Sequence, residues 1–324
     1  MLLDGSDPQA VELAADRLAA GDLVAFPTET VYGLGARADD DVAVAKIFAA
    51  KGRPTDHPLI VHVTDVEQAR HFAATWPPLA ERLAQAFWPG PLTLIVPRHP
   101  SLAAAAAGGQ DSIGLRCPAH PMAHALLVAA AQRGVQGVAA PSANRFGRIS
   151  PTTAAHVQSE FGDPLTVLDG GACGVGIESA IVDCTRERPA LLRPGQLTRQ
   201  QIERVLGQPL AAPDAASPRA SGTLESHYAP RAPVTLWPAA DLARCLQQPS
   251  PAGQAIGVYS RLAPTGGSGW QHRTMSAEPD AVAHDLFSVL RELDAAGVSA
   301  IWVERPPQGA AWDGVLDRLQ RAAA

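Results

Sequence analysis

Four cysteines in 324 residues, at positions 117, 173, 184 and 245, form no Cys-x-x-Cys pair. That scatter excludes a disulfide framework and a cysteine-based zinc site, and it fits a reducing, cytoplasmic compartment. Positive charge is scarce as well: 26 Lys and Arg stand against 32 Asp and Glu, a formal net charge of -6. A protein whose main task is non-specific binding to a polyanion needs a net or clearly segregated basic surface, so that class is disfavoured, although local basic clefts remain allowed. No apolar run approaches membrane-spanning length, and the first residues carry Asp4, Asp7, Glu12 and Asp16 on an amphipathic helical pattern with no basic n-region. Export and membrane insertion are not expected. The six tryptophans are spread along the chain and read as core or interface anchors, not as a base-stacking ladder. There is no G-x-G-x-x-G fingerprint for a dinucleotide and no G-x-S-x-G elbow to make Ser142 a hydrolase nucleophile. His120 and His124 are spaced i, i+4 but lack an acidic third ligand, so no structural metal is assigned.

What is present is ordinary in bulk and specific in detail. With 46% hydrophobic and 18% charged residues, the chain can bury the cores of two domains. The stretch from Phe26 to Val63 places Thr28, Glu29, Thr30 and Tyr32 on a turn after Pro27, loosened by Gly33 and Gly35. Asp39 to Asp41 then cap a helix whose apolar positions Val42, Ala45, Ile47 and Phe48 are expected to face inward. Lys51 and Arg53 lie at its exit before Pro54, as exposed cations suited either to the helix dipole or to a phosphate. Apolar runs at residues 23–26, 59–63, 92–96, 113–115, 138–140, 165–168, 177–182 and 190–192 read as strands. Helical patterns cover residues 8–20, 41–50, 78–87, 121–133, 152–161 and 198–206. The expected fold class is α/β, or mixed α+β, with helices packed on a sheet whose topology periodicity does not fix. Residues 208–233, rich in Pro, Ala, Ser and Gly, read as a linker. Strands at 234–236, 255–259 and 300–303 alternate with helices at 239–247, 281–295 and 312–322, a small three-layer β-α-β-α-β-α domain.

The motifs PTETVYGLG, KGRP followed by PLIVHV, PGPLTLIV, APSAN, SPTTAAHV, LLRPG and SHYAP occur in one order along nearly the whole chain. In that order they resemble the Sua5/YrdC/YciO family, and the length and tail resemble its two-domain Sua5 form, the threonylcarbamoyl-AMP synthases. The resemblance implies a YrdC-like twisted mixed sheet over residues 1–207, a linker or lid over 208–233 and a Rossmann-like Sua5 domain over 234–324. It implies a nucleotidyltransferase that joins L-threonine, bicarbonate or CO2 and ATP into threonylcarbamoyl-AMP and pyrophosphate, for the t6A modification of tRNA. Mg2+ would arrive with ATP, with no tightly bound cofactor, and the product would pass to the t6A transferase machinery with at most transient tRNA contact.

Residue by residue, the resemblance implies ATP contacts for Lys51, Arg53, His57, Ser112, Ser142, Asn144, Ser150, Arg193 and Tyr228, with Lys51 and Arg53 catalytic. It implies threonine contacts for Thr30, His62, Arg116, Ala140 and Ser179. Arg116 also has a direct physical warrant, as the natural partner of a carboxylate at the end of an apolar strand. Two positions depart from the family pattern: His57 stands where relatives often carry Asn, and Ala180 where they commonly carry Thr. Tyr228 is expected to close on ATP within a lid running from Ala220 to Pro230, with His227 nearby. The alternatives are a double-stranded RNA or ribosome-associated factor of YrdC fold, and a carbamoyl-adenylate chemistry of the hydrogenase-maturation kind. The acidic charge disfavours the first, and the missing cysteine spacings disfavour the second.

Overall fold

A computed structural model describes residues 1–224, 226–251 and 254–324. It divides into two compact units, Met1–Phe146 with Ser150–Thr223, and Gly147–Ile149 with Leu224–Ala324. Glu225, inside the expected lid, lies outside the described residues.

In the first unit the chain runs β1 (Leu2–Asp4), α1 (Pro8–Ala19), β2 (Val24–Phe26), β3 (Gly33–Arg37), α2 (Asp41–Lys51), β4 (Ile60–His62), α3 (Val66–His71), α4 (Pro78–Phe87) and β5 (Leu92–Pro97). It continues through β6 (Ser112–Arg116), α5 (Pro121–Gln132), β7 (Val138–Ala139), α6 (Ala154–Phe161), β8 (Thr166–Asp169), β9 (Ala180–Asp183), β10 (Ala190–Arg193) and α7 (Arg199–Leu206). The ten strands form one mixed sheet in the order β1-β8-β2-β3-β7-β4-β6-β5-β9-β10.

Alternation along the strands decides which side chains meet the core and which do not. In the right half of this order, Val61, Leu94, Ile113, Leu115 and Val182 point into the main core with Leu59, Phe72 and Leu83. The partnered register places Ile60 and Ile95 beside Gly114, His62 beside Arg116, and Thr93 beside Ile181, all on the opposite face. That second face carries the polar residues and is the one on which the site is built.

Three elements of this unit escape sequence reading. β1 is a three-residue strand beside β8, α3 is a six-residue helix, and β3 occupies the glycine-rich GLGAR segment that reads as a turn. Gly35 is required there because an added Cβ would meet Phe26 Cε1 at 2.8 Å and Val138 Cγ1 at 2.9 Å. A second correction concerns α2. Asp40 caps it, accepting from Val42 N and Ala43 N, but Val42 is 72% exposed and Ala45 is exposed too. The buried stripe is Ala43, Val44, Ile47, Phe48 and Lys51, one position out of phase with expectation at the first turn.

Residues 208–223, expected as part of the linker or lid, belong to the first unit. Ala211 N donates to Pro189 O at 2.8 Å, Arg186 pairs with Asp214 at 2.9 Å, and Arg219 pairs with Asp56 at 2.8 Å.

The second unit is a four-stranded parallel sheet in the order β11 (Val234–Trp237), β14 (Ala300–Glu304), β12 (Ile256–Ser260), β13 (Trp270–Thr274). The short helix α8 (Ala239–Cys245) covers one face, where Leu242 meets Ile256 and Val258. α9 (Pro279–Ala295) covers the other, where Leu293 approaches Gly257, and α10 (Asp313–Ala322) packs on α9. The three layers match expectation, while β13 is an extra strand. Its sequence, WQHRT after GGSG, has no apolar run to announce it.

Candidate active site

The half of the site around Arg116 grows from the alternation of β6. Ser112, Gly114 and Arg116 share the polar face, while Ile113 and Leu115 are buried in the core beneath. Arg116 is 4% exposed, and each of its three guanidinium nitrogens has a contact. Nη1 donates to Thr30 Oγ1 at 2.8 Å, Nε donates to Gly90 O at 3.3 Å, and Nη2 pairs with Glu29 Oε1 at 2.7 Å. Thr30 is positioned by Thr28, whose hydroxyl lies 2.8 Å from its own and also binds Val31 O at 2.6 Å. This turn is a knot of local side-chain to backbone bonds of the kind short hydroxyl residues make.

His62 lies beside Arg116 in the parallel register of β4 and β6, with its ring 6.0 Å from that of Phe26, edge-on. Burial, reinforced by the Arg116 charge, lowers its pKa from 6.5 to about 3, so the imidazole is neutral at physiological pH. Ala140 is buried, its N–H on Ile60 O at 2.9 Å, and its methyl would meet a Cβ on Gly33 at 3.1 Å.

The cationic half is assembled from three segments. Lys51 ends α2, where Gly52 takes the left-handed φ of 64° that closes the helix. Its Nζ donates to Ser142 O at 2.6 Å and to Asn144 O, while Phe146 N donates back to Lys51 O at 2.9 Å. The helix end and the APSAN loop are therefore tied to each other in both directions. Lys51 and Arg53 are only 3% and 7% exposed, which corrects the expectation of exposed cations. Burial, with the Arg53 charge second, holds the Lys51 ammonium well below its ordinary pKa, while Glu160 and Glu178 act in the opposite sense. Arg53 Nη2 donates to Pro58 O at 3.0 Å, and its guanidinium sits 5.7 Å from the Phe146 ring. His57 packs edge-on against the same ring at 5.4 Å.

Arg193, from β10, donates from Nε and Nη2 to Ser179 O at 3.0 and 2.9 Å. The turn after it is pressed against β9: a Cβ on Gly195 would lie 2.4 Å from Ala180 N. Ser179 Oγ meets Thr93 Oγ1 at 2.8 Å, so Ser179 joins the two halves. Asn144 Nδ2 donates to Arg145 O at 2.7 Å, and the Ser150 hydroxyl donates to Glu178. Carbonyl contacts orient Lys51, Arg53 and Arg193 without cancelling their charge.

Between the halves, Ile60, Thr93, Ser112, Gly114 and Ile181 form the floor of a pocket, and Arg219–Ser221 line it from the other side. Arg193 Nη1 donates to Ser221 O at 2.8 Å, and Arg53 Nη2 approaches Ser221 Oγ at 3.5 Å.

Residues 16–195 match the Sua5/YciO/YrdC family model, described as telomere recombination, and residues 197–324 match the threonylcarbamoyl-AMP synthase C-terminal domain. The chain belongs to this family. Among its Sua5 relatives, the threonylcarbamoyl-AMP synthase of Pyrococcus abyssi is 38% identical over 97% of this chain and 94% of its own length. That of Bacillus subtilis is 37% identical over 99% and 94%. The crystal structure of P. abyssi Sua5 complexed with L-threonine superposes with a TM-score of 0.86 at 34% identity, covering 100% of this chain and 97% of that one.

Thirteen of the fourteen positions singled out in this Sua5 sequence lie in the first unit. Tyr228 belongs to the second, where its φ is 64° and its ring packs 5.3 Å from Phe287 and 5.6 Å from the Arg318 guanidinium. Sequence reasoning missed Glu29 as the partner of Arg116, Thr93 as the partner of Ser179, Glu178 as the acceptor of Ser150, and Ser221. For Thr93 a signal was available: it is the one hydroxyl in the apolar run LTLIV.

Proposed function

We propose that this chain forms threonylcarbamoyl-AMP and pyrophosphate from L-threonine, bicarbonate or CO2, and ATP. The observation that carries this reading is the presence of two kinds of buried cation in one unit, Arg116 and Arg193 on strands of the sheet and Lys51 and Arg53 at the end of α2. Arg116 is framed by hydroxyl and carboxylate groups suited to an amino acid. Lys51, Arg53 and Arg193 are held by carbonyl oxygens and suited to phosphates. Ser112 and Gly114 line the same pocket as Ser221, the residue to which Arg193 and Arg53 reach.

In this reading the threonine ammonium group gives up a proton, and the resulting amine and bicarbonate give a carbamate with loss of water. A carbamate oxygen then attacks the α-phosphorus, and pyrophosphate leaves. Lys51, Arg53 and Arg193 stabilise the charge that grows on the phosphoryl oxygens, the largest contribution available where no side-chain nucleophile is needed. Thr30, His62, Ala140, Arg116 and Ser179 hold threonine. His57, Ser142, Asn144 and Ser150 shape the nucleotide side. Among the described residues no cluster of three His, Cys, Asp or Glu would hold a metal ion unaided. Mg2+ would come to this site with ATP, whose phosphates supply hard oxygen ligands. The product is water-labile and would pass to the t6A transfer machinery acting on tRNA in the cytoplasm. No helix among the described residues is long and apolar enough to cross a membrane.

The test is pyrophosphate release from ATP that depends on both threonine and bicarbonate, with serine replacing threonine as the specificity control. Release that ignores threonine would overturn the reading. Tight binding of double-stranded RNA without adenylation would favour the RNA-binding alternative.

A further inference from the structure

The Arg116–Glu29 pair has a chemical implication for which substrates the site accepts. Glu29 is held in place at three points: Oε1 pairs with Arg116 Nη2 at 2.7 Å, Oε2 accepts from Ala119 N at 3.1 Å, and its carbonyl accepts from Val175 N at 2.7 Å. Its side chain is 14% exposed against 5% for Arg116, so the carboxylate forms the more open side of the pair. An arginine meant to capture any carboxylate would be better left without a counter-charge. Here that charge is already balanced, and a lone anion entering beside it would bring an uncompensated negative charge into a poorly solvated site, which is costly. An amino-acid zwitterion brings no net charge. Its carboxylate can share Arg116, and its ammonium, one carbon away, can take the carboxylate of Glu29, so that one ion pair becomes two with every charge matched.

We propose that Glu29 is the specificity residue that receives the substrate's α-ammonium group and makes the Arg116 site selective for zwitterionic amino acids over simple carboxylates. This rests on the reading of Arg116 as the threonine carboxylate partner.

The experiment measures calorimetric binding of L-threonine and of 3-hydroxybutyrate, which is threonine without its amine, to the intact chain and to Glu29→Gln. The intact chain is expected to prefer threonine. In Glu29→Gln, threonine should weaken by about 10- to 100-fold, the range for losing one charged hydrogen bond, while 3-hydroxybutyrate binds as well as before or more tightly because Arg116 has lost its counter-charge. Equal weakening of both ligands would mean that Glu29 only holds Arg116 in place, and would overturn the proposal. Should Glu29→Gln not fold, Glu29→Asp keeps the charge and should keep the preference for threonine; loss of the preference in that variant also overturns it. Failure of the intact chain to bind threonine would instead defeat the assignment of the site itself, and the proposal with it.

Discussion

At the residue scale, burial changes what the basic residues can do. Lys51 joins two loop carbonyls as well as facing the site, so Lys51→Ala would remove a structural tie along with a charge. Lys51→Met keeps the stem but loses the same tie: adenylation should fall at least about a hundredfold, as for removal of an electrostatic stabiliser, and the melting temperature should fall with it because two loop carbonyls lose their donor. Because the ammonium pKa is lowered by burial, part of the Lys51 population is neutral at alkaline pH, and the phosphates of ATP would draw the proton back. ATP binding should therefore take up protons on the alkaline side, measurable by calorimetry in buffers of different ionisation enthalpy, and Lys51→Met should abolish that uptake. His62 works on the acid side. Its pKa is near 3 in the fold against 6.5 ordinarily, so the folded state binds fewer protons than the unfolded one between those values. Its contribution to stability is unchanged above pH 6.5 and becomes a growing penalty as pH falls towards 3. Chemical denaturation across that window should show a shallower pH slope for His62→Gln than for the intact chain. Arg116→Ala should raise the threonine requirement by the equivalent of about 2–5 kcal/mol, the usual cost of truncating a buried charged partner, with a much smaller effect on ATP.

Elements carry the site through their register. The alternation of β6 puts Arg116 and Ser112 on one face and two large apolar residues on the other, and the sequence IGLR already announced this. So did the helix boundaries around Lys51, because Asp40 and Gly52 are strong start and stop signals. β3 was not legible: GLGAR has the composition of a turn, and it becomes a strand only because Phe26 and Val138 demand a residue without a side chain between them. Val42 misled for the opposite reason, since an apolar residue in the first turn of a capped helix satisfies the periodic pattern while pointing at solvent. Glu29 and Arg116 are 87 positions apart in sequence, and no local pattern links them. Gly195 gives a test at this scale. Gly195→Ala would drive a methyl into the backbone of β9, shifting the turn that sets Arg193 on Ser179. Activity should fall for both substrates together, and Arg193→Ala should add little on top of it, which a double-mutant cycle in pyrophosphate release would reveal.

Across the whole molecule, the division into two units was visible as a change of composition after Gly207, but its position was not. The segment from 208 to 223 reads as a linker or lid by composition, and it is tied to the first unit through Arg186–Asp214, Arg219–Asp56 and the backbone pairing at Ala211. Those partners are non-local, which is why composition could not find them. If the segment opens when substrates enter, cleavage by a protease between residues 208 and 223 should change on adding ATP with threonine. An unchanged digestion pattern would show that it stays docked throughout.

On the proposed reading of Arg193 as a phosphate ligand, its hold on Ser221 O makes nucleotide entry an exchange, in which the chain's own carbonyl competes for a donor that a phosphate would use. Observed affinity is then the difference between two contacts, and loosening the internal competitor should strengthen the external one. Arg219 pins this competitor from its exposed side, through Asp56 and Gly108 O. Exposed ion pairs of this sort are worth up to about 1 kcal/mol, so Arg219→Ala should bind ATP up to about fivefold more tightly, an increase in affinity produced by deleting a positive charge from a chain that binds an anion.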